Sequence, residues 1–165
     1  MNLFVKYCLF IILSFFISCK NDQIQQESKT QQRIERFFTK EGTLELKNDQ
    51  KTIQLLDIEF AESDYETSEG LKHRYSMKEN QGMLFLFPKA ELKNFWMQDT
   101  RIPLDILYVT EDSVVLNIVK NAPPMTEYGI QGSTGPVQYV LEINGGMSDK
   151  WGIIEGKTKL SWKKE

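Results

Sequence analysis

Cysteine is nearly absent from this chain. Its 165 residues hold two, Cys8 and Cys19, so no disulfide framework is available to anything that follows them. Histidine is scarcer still. His73 is the single one, and without cysteines or further histidines it cannot build a structural zinc site. As a general base it would need a nucleophile and an orienting acid, which its sequence neighbours do not supply, so it reads as a surface residue. There is also no block of positive charge. Twenty basic residues stand against 23 acidic ones, net -3, spread along the chain. Lys163 and Lys164 make only a small terminal cluster, so nucleic acid is not an expected partner. Neither Gly-rich nucleotide fingerprint occurs; Gly145-Gly146 reads as a turn with positive φ, not as a phosphate cradle. No cofactor and no metal are expected. No internal repeat is present. Beyond residue 60 no segment keeps a helical period for the roughly 10–15 residues that a strand–helix alternation needs, so a parallel sheet is not expected.

What is present begins at the N-terminus. Lys6 precedes the apolar run LFIILSFFIS, and Cys19 follows directly. The run is short for a membrane span, which takes about 20 residues. A charged start, a short apolar core and Ser18 before the cut describe an export signal, and Cys19 at the cut resembles the bacterial lipoprotein signal. Phe16 departs from the aliphatic residue preferred there. The reading is a signal peptide over 1–18 and lipidation at Cys19, with a buried apolar N-terminus or an uncleaved anchor as the alternative. Cys8 is then removed, the lipidated Cys19 is the one cysteine left, and the membrane is a partner through the acyl anchor. The expected location is exported and membrane-anchored, on the periplasmic or surface side. Residues 19–41, rich in Gln, Glu, Lys, Ser and Thr, read as lipidated cysteine and polar tether. An alternative has Ile34, Phe37 and Phe38 docking as one helical face.

One domain is expected over 42–165. Leu44 and Leu46 alternate before a turn at 47–51, and Leu56, Ile58 and Phe60 share a core face against Asp57 and Glu59 on a wet one. Ser63 with Glu66 makes a capping box for a short polar helix ending near Glu69 or Gly70. The run MLFLF after Gly82 is apolar on both faces and reads as a central or covered strand that Pro88 ends. Further strands are expected at 93–97, 102–109, 114–119, 137–143 and 160–162, with Ser148 capping one helical turn, and the stretch 121–136 as a long irregular loop. The fold class that follows is mostly β: a small barrel-like domain of seven or eight short, mainly antiparallel strands with one or two short helices.

The motifs GMLFLF, FWMQDTRIPLDILYV and QYVLEINGG, in this order, resemble the DUF192 family, a widespread prokaryotic family without an assigned activity. The likeness covers about residues 50–162. The family's Gly-Leu-Met-x-Arg falls on Gly70, Leu71, Lys72, His73 and Arg74, with Lys72 replacing methionine. Its Gly-Met-Leu-Phe falls on 82–85. Its Trp-Met-x-Asn-Thr falls on Trp96, Met97, Gln98, Asp99 and Thr100, with Asp99 replacing asparagine. Its Pro-Leu-Asp-Ile falls on 103–106 and its Leu-Glu-x-x-x-Gly on 141–146. The resemblance implies a compact β-barrel-like domain.

Several residues are candidates for a ligand site. Asp105 stands inside an apolar strand, where a carboxylate must be paired or hydrogen-bonded; it reads as an anchor for backbone N–H groups or an arginine, or else as a ligand or acid–base group. Glu142 reads as solvated, or as an acid–base partner of Asp105 if both face one pocket. Arg74 is a partner for either carboxylate. Trp96 and Met97 point opposite ways, one to the core and one over a surface or groove, beside Asp99 and Thr100. Three functions compete: a non-catalytic envelope lipoprotein domain binding a small ligand or peptide, an envelope-acting hydrolase using Asp105 and Glu142, and an assembly accessory of another envelope protein.

Overall fold

The structure, a computed structural model, describes residues 36–165. The expectations for the signal, for Cys19 and for Ile34 lie outside the described residues. Among the described residues the elements run β1 (Gly42–Asn48), β2 (Lys51–Ala61), α1 (Asp64–Glu69), β3 (Gln81–Glu91), β4 (Leu104–Val109), β5 (Val115–Ala122), β6 (Val137–Asn144), α2 (Met147–Trp151) and β7 (Lys159–Lys164). Among the described residues no helix is long and apolar enough to cross a membrane.

The seven strands form one sheet in the order β5-β4-β6-β3-β2-β1-β7. This corrects the barrel-like expectation, for the sheet is not closed. Its two edge strands, β5 and β7, form no ladder with each other; they meet at one corner, where Val114, just before β5, makes an isolated bridge to Lys159. The sheet is also mixed. β2 and β3 pair in parallel, Asp57 against Gln81 through Ala61 against Phe85, while every other pairing is antiparallel. A parallel pair needs a crossover of about a dozen residues or more. Here the stretch between Ala61 and Gln81 provides it with only six helical residues, too few for a helical period to show in the sequence. The sequence does specify where that helix starts. Ser63 accepts the Glu66 N–H while the Glu66 carboxylate accepts from the Ser63 N–H, closing the expected capping box.

Two further expectations are corrected. β3 runs through Pro88 to Glu91, because the proline sits where the β3–β6 register shifts between Leu86 and Glu91; a bulge spares the missing N–H. Residues 93–97 form no strand. The Lys93 N–H goes to the Ser133 hydroxyl and the Met97 N–H to the Thr126 carbonyl, so this segment is bonded to the long loop and not to the sheet.

Both faces of the sheet are buried at its centre, which is why β3 is apolar from Met83 to Phe87. One core takes Leu44, Leu56, Ile58, Leu84, Leu107 and Leu141 among others, with a contribution from every strand. The opposite core takes Met83, Phe85, Ile106, Tyr108 and Val140. It is covered by side chains from the three long connections, including Leu71, Met97 and Ile130. Gly82 keeps the centre tight: a Cβ there would lie 2.8 Å from the Glu142 carbonyl oxygen.

Candidate functional site

The strand register decides which polar side chains meet. Glu59 is opposite Met83, Met83 opposite Glu142, and Glu142 opposite Ile106. Directly paired residues point to the same side of a sheet, so these four form one row on the face covered by the long connections. Asp105 pairs with Ile143, one step along, and therefore points to the other face. The structure thus does not bring Asp105 and Glu142 together as an acid–base pair.

Asp105 is fully buried, and among the described residues its bonds are to backbone only. Its Oδ1 accepts the Asn121 N–H at 2.7 Å and the Gly146 N–H at 3.0 Å, and its Oδ2 accepts the Ser148 N–H at 2.8 Å. One carboxylate therefore ties the end of β5 and the start of α2 to β4. Ser148 is not the helix cap expected of it: Gly146 is the N-cap, at φ 83°, and Ser148 is buried beside Asp105. Gly145 has no room for a side chain, since a Cβ would stand 2.5 Å from Asn121 Oδ1.

On the other face Glu59, expected on a wet face, is only 7% exposed and holds the buried Arg74 guanidinium at 2.6 Å. Its second oxygen accepts the Thr39 N–H at 3.0 Å. Arg74 thus pairs with neither of the carboxylates expected for it. Its Nε and Nη1 find no hydrogen-bond partner among the described residues. Glu142, expected to be solvated, is 4% exposed and makes no hydrogen bond among the described residues. Burial pushes its carboxyl up to about 8, against the opposing pull of the Arg74 charge, so it keeps its proton at neutral pH. Burial, then the nearby Glu142 charge, raise the Tyr108 phenol to about 12; its hydroxyl donates to the Gln131 carbonyl.

Glu142 faces a cavity of about 310 Å³. The cavity lies between α1 with the residues after it and the segment 93–96, with Phe85 and Glu142 on its sheet side. Phe87, Phe95 and Trp96 complete an aromatic wall, and Phe85 and Phe95 meet edge to face at 4.9 Å. Of the residues proposed from sequence, Trp96, Thr100 and Glu142 line it. Trp96 is 57% exposed while Met97 is wholly buried, the split that adjacent positions required. Asp99 takes φ 56° and its carbonyl accepts the His73 N–H, outside the cavity lining. Among the described residues no group of His, Cys, Asp and Glu converges on a metal position. Sequence reasoning missed the phenylalanine wall and Glu59. Phe85 was visible as a core residue, but nothing in the alternation of β2 distinguishes a buried Glu59 from a solvated one.

The DUF192 family model, described as uncharacterized ACR, matches residues 44–161. The chain belongs to the DUF192 family. Two crystal structures are similar to it. A protein of unknown function from Novosphingobium aromaticivorans DSM 12444 is 34% identical, with a TM-score of 0.68, over 73% of this chain and 84% of that one. A protein named as a candidate transcription regulator from Sinorhizobium meliloti 1021 is 31% identical, with a TM-score of 0.70, over 77% of this chain and 98% of that one. Among curated proteins none matches. Within the DUF192 domain, the segments that carried the resemblance divide by face. Leu71, Lys72 and Glu142 line the cavity, whereas Asp105 and Gly145 serve the backbone on the other side. Lys72, which stands where the family motif has methionine, puts a charged amine on the cavity lining; Asp99, the other replacement, does not reach it.

Glu142 makes stability depend on pH. Its folded value is raised from 4.5 to about 8, so between those values the folded state holds a proton that the unfolded state has lost. Its stabilisation is complete below pH 4.5, falls by up to ~1.4 kcal/mol per pH unit as pH rises, and levels off above pH 8. Glu142→Gln is expected to remove that slope, so that wild type and variant diverge most above pH 8. Urea unfolding across this range checks it; parallel curves would mean that Glu142 is ionised in the folded protein.

Proposed function

We propose that this DUF192 domain binds a small, largely apolar molecule without transforming it, in the cavity that Glu142 and Phe85 line from the sheet side. The observation that carries this reading is a buried carboxyl group that makes no hydrogen bond among the described residues and faces an aromatic-walled space of about 310 Å³, at the low end of the range for ligand sites. A buried polar group of that kind is costly until something bonds to it. The separation of Asp105 and Glu142 onto opposite faces favours binding over two-carboxylate hydrolysis. The net charge of -3 favours a small ligand over nucleic acid.

The apolar run ending at Cys19 supports a lipid-anchored, exported protein that holds its ligand near a membrane. The test is native mass spectrometry of the full chain extracted from its own host in detergent. A retained small molecule, lost in Thr67→Trp where an indole fills the cavity, is the expected result. An empty protein that no member of a fragment library stabilises would overturn the proposal, and an apolar protein partner in its place would favour the assembly role.

A further inference from the structure

We propose that the ligand is a flat ring bearing a neutral hydrogen-bond acceptor and donor side by side, a lactam or primary carboxamide, whose polar edge pairs with the Glu142 carboxyl through two hydrogen bonds. This deepens the binding reading above and rests on it.

The charges around Glu142 set the class. From the connection after α1 comes Arg74, already held by Glu59 of β2 at 2.6 Å; from β4 comes the Tyr108 phenol, neutral and donating to the Gln131 carbonyl. Across the cavity α1 offers Asp64 and Glu69, the latter paired with Arg36 at 2.7 Å. The remaining lining cations are Lys72 and Lys93, and the Lys93 amine lies 3.9 Å from the Phe87 ring centroid and 3.5 Å from Glu91. The buried groups are therefore balanced before any ligand enters: one ion pair, one phenol and one carboxylic acid. A ligand carboxylate or ammonium seated against Glu142 would add a desolvated charge to buried groups that already balance, since the remaining lining charges without an ion pair, Lys72 and Asp64, are partly or fully exposed. A neutral group adds none.

The chemistry of Glu142 sets the edge. A carboxylic acid presents one O–H donor beside one acceptor oxygen, and with no hydrogen bond made among the described residues both are unused. Their complement is an acceptor beside a donor, which an amide or lactam presents in one plane. The walls set the body. Phe85, Phe87, Phe95 and Trp96 present ring faces and edges, suited to one flat ring.

Three probes of similar size test this on the full chain in detergent: benzamide, benzoate and benzylammonium, compared by saturation-transfer NMR and thermal shift at about pH 6. Benzamide is expected to bind at least about tenfold more tightly than either ion. Its affinity is expected to fall by about tenfold or more at about pH 9, where Glu142 is ionised, and to hold in Glu142→Gln, which keeps a donor beside an acceptor at every pH. Tightest binding by benzylammonium would make this a cation site and overturn the proposal. So would benzamide affinity that is unchanged by pH and by Glu142→Leu. Failure of all three probes on a protein that retains a host molecule would overturn the ligand class and leave the binding reading standing. Failure on a protein that is also empty would overturn both.

Discussion

Asp105→Ala is expected to unfold the domain under conditions where wild type is stable. The carboxylate is fully buried, and it alone satisfies backbone N–H groups from three places in the chain: Asn121 at the end of β5, Gly146 before α2, and Ser148 within it. Alanine leaves those donors without an acceptor. The Gly146 and Asn121 groups lie near solvent and can recover water, whereas the Ser148 N–H is buried and cannot. With charge-assisted bonds lost at three sites and one donor orphaned outright, the cost is roughly 3–5 kcal/mol, a large part of what holds a small domain together. Asp105→Asn keeps the shape and one acceptor oxygen but turns an NH₂ toward a backbone N–H, so an intermediate loss is expected. Urea unfolding followed by tryptophan fluorescence measures both. A midpoint for Asp105→Ala within error of wild type would show that α2 does not depend on this carboxylate.

Asp105 was legible as a structural problem from sequence because a charge inside LDILYV has few ways to be satisfied. Its solution was not legible, because the three donors lie 16, 41 and 43 residues away along the chain. The same limit applies to the sheet. The hairpin of β1 and β2 and that of β4 and β5 follow from local alternation and turns, and the capping box of α1 follows from Ser63 and Glu66. Whether the sheet closes depends on how far its edge strands β5 and β7 approach, and no local pattern encodes that; the barrel expectation failed there. The parallel pairing of β2 with β3 was hidden because its crossover is mostly irregular. The cavity was half legible. Trp96, Thr100 and Glu142 were nominated and do line it. Glu59 looked wet because it alternates with Leu56, Ile58 and Phe60, and only the fold reveals that β2 is covered on both sides at that point. Arg74 was assigned to the wrong carboxylate for that reason.

The Arg74–Glu59 pair yields a second large effect, and one whose signs separate electrostatics from packing. Both side chains are less than a tenth exposed, at 5% and 9%, so removing one partner strands the other. Arg74→Met and Glu59→Gln are each expected to cost roughly 3–5 kcal/mol, with the double variant costing less than the sum, because neither charge is then left unpaired. Loss of stability alone would not distinguish the ion pair from ordinary packing, but Glu142 provides an independent readout. Arg74 is the charge that lowers the Glu142 value against the burial that raises it. In Arg74→Met that pull is gone, so Glu142 holds its proton to a pH above about 8, and the pH range over which stability declines extends upward. In Glu59→Gln the guanidinium loses its own carboxylate and acts more fully on Glu142, so the folded value drops and the decline ends at lower pH. Two variants of similar stability are thus expected to move one titration in opposite directions. Urea unfolding of each variant between about pH 5 and pH 10 resolves the difference. If both midpoints move the same way, the field at Glu142 is not set by Arg74, and the charge balance that favours a neutral ligand fails with it.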